Sequence, residues 1–169
     1  MRIKRITIGN FKNLAETTLD LTRMIALVST NNYGKSNLLE AIRFGFDFIS
    51  ASPKERNIMM RWRRGIPLSH ELAGKEYKFV VEFDDPELEQ YRFVRYGFSF
   101  TWYNDQETGA VITDEQIEMR ATESVRYTAY LKRDKGQYRA GKTKTGFRKI
   151  ALTEDVLAVD IISSFDDVE

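Results

Sequence analysis

Three stretches near the start of the chain carry the hydrophobic patterns of β-strands. Residues 2–9 alternate apolar and polar side chains, and this period of two predicts a first strand. Residues 15–21 predict a second strand, and the turn Asn10–Leu14 separates the two. Met24–Val28 carries no charge, which predicts a buried third strand. The chain therefore begins with a strand pair followed by a strand expected in the interior.

The apolar spacing then changes from that of a strand to that of a helix. A helix is predicted from Lys35 to about Ile49, because its apolar residues recur at helical spacing along one face. Strand patterns return from Tyr77 onward, separated by turn signals, and these regular hairpins predict an antiparallel sheet. The four expected strands are Tyr77–Phe83, Tyr91–Tyr103, Ala110–Arg120 and Ser124–Lys132.

The order of these elements predicts an α/β fold, in which a nucleotide-binding core carries an antiparallel β layer. The last segment, Thr153–Phe165, has the spacing of a helix, with Thr153 as a possible cap. We expect one domain in four parts: 1–50 as strand–loop–helix core, 51–76 as a basic helical or loop segment, 77–150 as hairpins, and 151–169 as a C-terminal helix.

Composition narrows the function classes. With 169 residues, 42% hydrophobic and 30% charged, the chain has the make-up of a globular domain. The net charge of +1 does not by itself demand a nucleic-acid or membrane partner. The chain contains no cysteine, and His70 is its single histidine, so thiolate and histidine metal cages are excluded. No apolar run approaches membrane-spanning length and no signal-peptide core is present, so a cytoplasmic protein without membrane contact is expected.

The loop between the third strand and the helix has nearly the sequence of a phosphate-binding loop. Residues 29–37 read Ser-Thr-Asn-Asn-Tyr-Gly-Lys-Ser-Asn. Such a loop surrounds nucleotide phosphates with backbone N–H groups, and the following helix adds its positive dipole end. Lys35 would reach the β- and γ-phosphates and the Ser36 hydroxyl would bind Mg²⁺. Ser29 departs from the pattern, which has glycine at that position for a tight turn.

Two linked motifs resemble the N-terminus of RecF/SMC/OLD-type ATPases, which are ABC-type ATPases of the P-loop NTPase class. The first motif is Ile6-Thr-Ile-Gly-Asn-Phe-Lys-Asn-Leu14, and the second is the loop followed by Asn37-Leu-Leu-Glu-Ala-Ile42. The resemblance covers about the first fifty residues; in the loop Asn31, Asn32, Gly34, Lys35, Ser36 and Asn37 match, whereas Ser29 and Tyr33 depart.

The resemblance implies an ATP-binding protein of DNA repair, chromosome maintenance or phage defence, with ATP and Mg²⁺ as ligands. It places Lys12 and Asn13 near the phosphates; the alternative is that both lie in a solvated turn. The implied contacts to nucleotide then come from Lys12, Asn13 and the loop residues Asn31, Asn32, Tyr33, Gly34, Lys35, Ser36 and Asn37.

Two motifs that this family needs for hydrolysis are not found in the sequence. One is a Leu-Ser-Gly-Gly signature, and the other is an apolar strand ending in Asp-Glu. The run Val156–Asp160 comes nearest to the second, but Ile161 follows where the catalytic Glu belongs. We therefore expect the N-terminal lobe of an ABC-type head, which pairs with a second copy in the complete protein. This lobe alone is expected to bind nucleotide weakly and to lack catalytic residues.

A different class of function stays open. Residues 132–149 hold eight basic residues against one acid, a composition suited to DNA phosphates or to a solvated hairpin. With Ser29 and Tyr33 in the loop, the chain is alternatively a non-hydrolysing module that binds nucleic acid or a protein partner.

Overall fold

The fold is an antiparallel sheet with one long helix across one face. A computed structural model describes residues 1–23, 25–28, 34–61, 75–88, 91–103, 111–134, 137–140 and 148–162. Within them the strands form one sheet in the order β2-β1-β3-β4-β5-β6-β7-β8, with every neighbouring pair antiparallel. The elements in chain order are β1 (Arg2–Gly9), β2 (Thr17–Asp20), α1 (Lys35–Ser50), α2 (Pro53–Met59), β3 (Tyr77–Asp84), β4 (Phe93–Thr101), β5 (Val111–Arg120), β6 (Thr128–Asp134), β7 (Gln137–Ala140), β8 (Arg148–Ala151) and α3 (Ala158–Ile162).

Strand β1 shows why the alternating pattern predicts this sheet. Ile6 and Ile8 face the core and are at most 3% exposed, and Thr7 between them faces the other side of the sheet, where its hydroxyl lies 2.9 Å from that of Thr18. Ile6 pairs with Leu19 of β2 and with Val81 of β3. Apolar residues at a period of two require one buried face, which is why the pattern predicts a sheet. The observed antiparallel pairing confirms the predicted antiparallel layer.

Helix α1 covers the apolar face of the sheet through an aromatic core. The Phe48 ring stacks on Phe98 and Phe100, with centroids 4.7 and 5.0 Å apart. The hydroxyl of Tyr77 donates to the Ala41 carbonyl at 3.3 Å, and burial raises the pKa of Tyr77 well above its ordinary value. This packing fixes α1, and with it the residues at the start of α1, relative to β3 and β4.

The aromatic residues of β4 lie on both faces of the sheet. Phe98 and Phe100 belong to the core beneath α1. Phe93 of the same strand is an odd number of residues away from both and faces the opposite side. There the guanidinium groups of Arg92 and Arg120 each lie 5.3 Å from the centre of the Phe93 ring.

The prediction of a buried strand at Met24–Val28 is wrong for the residues that the structure describes there. Residues 25–28 form no strand, and Ile25, Leu27 and Val28 are 42%, 37% and 91% exposed. A strand needs a neighbour to accept its hydrogen bonds. Edge strand β2 pairs with β1, and no described strand pairs with residues 25–28.

The helix predicted at Thr153–Phe165 is shorter in the structure. Residues 153–156 form a turn, α3 occupies Ala158–Ile162, and residues 163–169 lie outside the described part. The Val156 N–H donates to the Thr153 carbonyl at 3.2 Å, so Thr153 belongs to the turn and does not cap the helix. Asp160 of α3 forms an ion pair with Arg56, which is 1% exposed.

Helix α2 begins with a capping box in the predicted basic segment. The Ser52 N–H and hydroxyl both donate to Glu55 Oε2, at 2.8 and 2.7 Å, and the Glu55 N–H lies 3.4 Å from the Ser52 hydroxyl. The hydrogen bonds from the Ser52 backbone and side chain lower the pKa of Glu55. Within the described residues, no helix is long and apolar enough to span a lipid bilayer.

Candidate phosphate-binding site

The site begins where α1 begins. Gly34 has a φ of 93°, in the left-handed region that favours glycine, and its carbonyl accepts the Leu38 N–H at 2.8 Å. Lys35 and Ser36 are the first two residues of the helix. The Gly-Lys-Ser triplet therefore marks a sharp entry into a 16-residue helix, as its sequence predicts.

The first turn of α1 has the electrostatic character of an anion site. Gly34 occupies the N-cap position without a capping side chain, and the first turn contains no acidic residue. The first N–H groups of a helix have no partners within the helix, and the helix dipole puts partial positive charge there. The exposed Ser36 hydroxyl lies in the same turn. A phosphate group is the ligand that this combination favours.

The Asn10–Leu14 turn lies next to this end of α1. Phe11 and Leu14 close it with two backbone hydrogen bonds of 3.1 and 2.8 Å. Asn10 and Lys12 have φ values of 55° and 53°, so the backbone doubles back sharply. The predicted turn is confirmed, and its closure fixes the backbone from which the side chains of Lys12 and Asn13 extend.

Two side-chain contacts join the turn to the helix. The Asn37 amide Nδ2 donates to Asn13 Oδ1 at 2.7 Å. Lys12 Nζ donates to Glu40 Oε2 at 2.5 Å. The structure therefore brings Lys12 and Asn13 to the first two turns of α1, and their contact with phosphates stays a prediction.

The structure describes six of the predicted site residues: Lys12, Asn13, Gly34, Lys35, Ser36 and Asn37. A Cβ added to Gly34 would lie 3.7 Å from Asn13 Oδ1, which shows how closely the turn approaches the helix start. The other three, Asn31, Asn32 and Tyr33, lie outside the described residues, as does Ser29.

Glu40 is a residue near this site that the loop sequence does not predict. Glu40 follows Ser36 by four residues and Asn37 by three, so it shares their side of α1. That spacing was the available signal. The partner, Lys12, lies 28 residues away in the sequence, and only the folded chain shows the contact.

Two other candidate regions have structural roles in the described residues. Arg133, one of the basic residues in 132–149, is 4% exposed and donates to the carbonyls of Thr153, Glu154 and Val156. Arg61 donates to the Tyr103 hydroxyl at 2.8 Å. The side chains of 134–149 and residues 62–70, including His70, lie outside the described part.

Comparison with known proteins shows the family to which the chain is similar. A sequence model of the AAA ATPase domain family matches residues 1–138, which contain every predicted site residue. The chain is similar to the DNA replication and repair protein RecF of Leptospira biflexa serovar Patoc, with 35% identity over 83 residues, or 47% of this chain and 23% of that protein. The RecF protein of Leptospira interrogans serogroup Icterohaemorrhagiae serovar copenhageni is 41% identical over 63 residues, or 37% of this chain and 17% of the relative. The chain thus spans less than a quarter of the length of these relatives.

Proposed function

The chain belongs to the AAA ATPase domain family and is RecF/SMC-like, and we propose that it is the ATP-binding lobe of a RecF/SMC/OLD-like ATPase in DNA repair, DNA maintenance or phage defence. The observation that carries the proposal is the start of α1. There Gly34, Lys35 and Ser36 begin a helix whose N-cap residue has no capping side chain and whose first turn has no acidic residue, and the Asn10–Leu14 turn lies against it. The DNA-related role rests on the similarity to two RecF relatives, which are DNA replication and repair proteins.

Each site residue has a chemical role in this proposal. The backbone N–H groups of residues 31–37 surround the phosphates, and the Lys35 ammonium neutralises the β- and γ-phosphates. Asn13 orients Asn37 through their hydrogen bond, and Lys12 supplies a second cation from the turn. These roles need the start of α1 to be held in a fixed position, and the packing of α1 on the aromatic core provides this.

The described residues are consistent with a Mg²⁺ ion that takes most of its ligands from the nucleotide phosphates and water. Ser36 offers an exposed hydroxyl in the first turn of α1. Among the described residues no group of three His, Cys, Asp or Glu side chains is arranged to hold a metal. Mg²⁺ commonly takes one or two protein oxygens together with substrate phosphates and water. When bound, it would neutralise phosphate charge, and Ser36 would hold it.

Hydrolysis requires residues beyond those of this site. The run Val156–Asp160 is the part of the sequence most similar to the apolar strand ending in Asp-Glu. Its Asp160 lies in helix α3 and pairs with Arg56. We therefore propose that the water-activating Glu and the signature segment come from a C-terminal lobe and a second copy of the complete head. The chain alone then binds ATP with little turnover.

Thermal unfolding with and without Mg²⁺–ATP tests the proposal. At nucleotide concentrations about 100-fold above Kd, selective binding stabilises the folded chain by about 2.7 kcal/mol, a rise in Tm of roughly 5–10 °C. Lys35→Ala should abolish the rise. Lys54→Ala removes an exposed lysine of α2 and should leave the rise intact. A chain whose Tm is indifferent to millimolar nucleotide does not bind ATP as proposed.

The non-hydrolysing binding module is the second candidate. The observation that favours it is the exposed, strand-free segment 25–28, which leaves the entry to the loop without the sheet support that a phosphate loop usually has. In that case Mg²⁺–ATP produces no shift, whereas single-stranded DNA or a protein partner binds. A DNA affinity that falls steeply with salt would identify phosphate contacts from residues 132–149.

A further inference from the structure

Lys12 and Glu40 contact each other beside the site. Neither of the two sequence motifs assigns a role to this contact. The 2.5 Å distance between Lys12 Nζ and Glu40 Oε2 makes it both an ion pair and a hydrogen bond. The Lys12 side chain is 15% exposed and that of Glu40 is 49% exposed. The lysine is therefore largely packed against protein, whereas half of its carboxylate partner faces water.

The contact pairs the Lys12 ammonium with a carboxylate from the second turn of α1. Glu40 lies five residues after Lys35, so its backbone is about 7.5 Å further along the helix axis. Asn13, the next residue of the turn, instead contacts Asn37 in the first turn of the helix. Neighbouring side chains of the Asn10–Leu14 turn thus contact two successive turns of α1, Asn13 the first and Lys12 the second.

Only the Lys12 side chain needs to move in order to reach the helix start. Its backbone is held at a φ of 53° within a turn closed by Phe11 and Leu14. A lysine side chain has four rotatable methylene bonds, and its ammonium is a compact charge that changes partners easily. An ion pair whose carboxylate is 49% exposed contributes little free energy, whereas a nucleoside triphosphate offers several negative charges.

We propose that Glu40 is a positioning residue that holds Lys12 away from the phosphate site in the nucleotide-free chain, and that Lys12 exchanges Glu40 for the terminal phosphates of the bound nucleotide. This inference rests on the proposed function, since it needs a nucleotide at the start of α1. Glu40 thereby lowers nucleotide affinity: it competes for the Lys12 ammonium, and binding must break the ion pair.

A double-mutant cycle on the whole chain tests the exchange. Mg²⁺–ATP affinity is measured by titration calorimetry for the unmodified chain, Glu40→Gln, Lys12→Met and the double variant. Glu40→Gln should tighten binding roughly two- to five-fold, the range that corresponds to an exposed ion pair. In the Lys12→Met background the same change should have no effect on affinity, because the competition is gone.

A control on the same helix separates this effect from general charge repulsion. Asp47→Asn removes an exposed carboxylate of α1 that pairs with Arg43 at 3.4 Å, and it should leave the affinity unchanged. A gain from Glu40→Gln that persists without Lys12 would mean long-range repulsion and would overturn the exchange, as would a Glu40→Gln variant that binds no more tightly than the unmodified chain.

The two levels of the proposal fail in distinguishable ways. If the unmodified chain binds no nucleotide, the proposed function fails and the exchange fails with it. If binding is present and lost in Lys35→Ala but does not respond to Glu40→Gln, only the exchange is overturned. If the ion pair only stabilises the fold, Glu40→Gln lowers the Tm and leaves the nucleotide affinity unchanged. That outcome overturns the exchange and leaves the proposed function standing.

Discussion

Gly45 lies at the point where α1 packs most closely on the sheet. A Cβ added there would lie 2.2 Å from Phe79 Cδ2 and 2.3 Å from Cε2, and Phe79 is fully buried. The helix therefore reaches its position over the sheet only because residue 45 has no side chain. The close approach fixes the distance between α1 and strand β3, and so the position of Lys35 and Ser36 relative to the sheet.

Gly45→Ala is expected to destabilise the chain although alanine is the better helix former. Overpacking a rigid core typically costs about 1–3 kcal/mol, and the gain in helix propensity offsets at most about 1 kcal/mol. We expect a net loss of roughly 1–2 kcal/mol in the free energy of unfolding, measured by urea denaturation. Asp47→Ala on the exposed side of α1 should stay within about 0.5 kcal/mol. Equal stability of Gly45→Ala and the unmodified chain would contradict this packing.

Sequence reasoning at the residue scale succeeds where chemistry is local. Gly34, Lys35 and Ser36 are predictable because the sharp helix entry, the cation and the hydroxyl lie within three consecutive residues. Glu40 and Arg133 are not, because their partners come from distant parts of the chain and nothing in their own neighbourhood specifies the contact. A titratable residue acquires its role from the group that the fold places beside it.

At the scale of elements, α3 depends on side chains from other parts of the fold. It has five residues, too few for a helix to be stable by itself. Glu115 of β5 is fully buried, and its carboxylate accepts the Ala158 N–H at 2.8 Å, the Val159 N–H at 3.4 Å and the Tyr96 hydroxyl at 3.0 Å. Arg56 holds the other side of α3 through Asp160.

Glu115→Gln should therefore loosen α3 specifically. A glutamine offers one acceptor oxygen and places an NH₂ group against backbone donors, so we expect a loss of about 2–3 kcal/mol in the free energy of unfolding. Hydrogen exchange at Ala158 and Val159 should accelerate more than in the strands. Glu118→Gln, on the same strand and paired with Arg95 at 3.2 Å, is the control and should cost less than about 1 kcal/mol. Unchanged exchange in α3 would rule out the anchoring role.

The predicted elements differ in accuracy for the same reason. Strands β3 to β5 follow from alternation and turn residues, and their predicted bounds are close because hairpins form between sequence neighbours. The predicted C-terminal helix is too long. The helical spacing between Thr153 and Leu157 does not reveal that Arg133 donates hydrogen bonds to the carbonyls of a turn there. The strand at 25–28 is wrong because a buried strand requires a neighbour that local pattern cannot supply.

At the scale of the whole molecule, segment 25–28 is exposed and pairs with no strand of the described residues. Ile25, Leu27 and Val28 expose apolar side chains, although their sequence has the composition of an interior strand. A run of exposed apolar side chains favours association with another chain.

Val28→Lys is expected to reduce self-association of the chain without loss of stability. Val28 is 91% exposed, so a charged side chain costs little there and repels a second copy. Light scattering at rising concentration should show less association, and binding of a hydrophobic dye should fall. Val125→Lys is the matched control, because Val125 is also exposed, at 51%, but lies in the turn between β5 and β6. If both changes reduced association equally, net charge would be the cause and segment 25–28 would not be the contact surface.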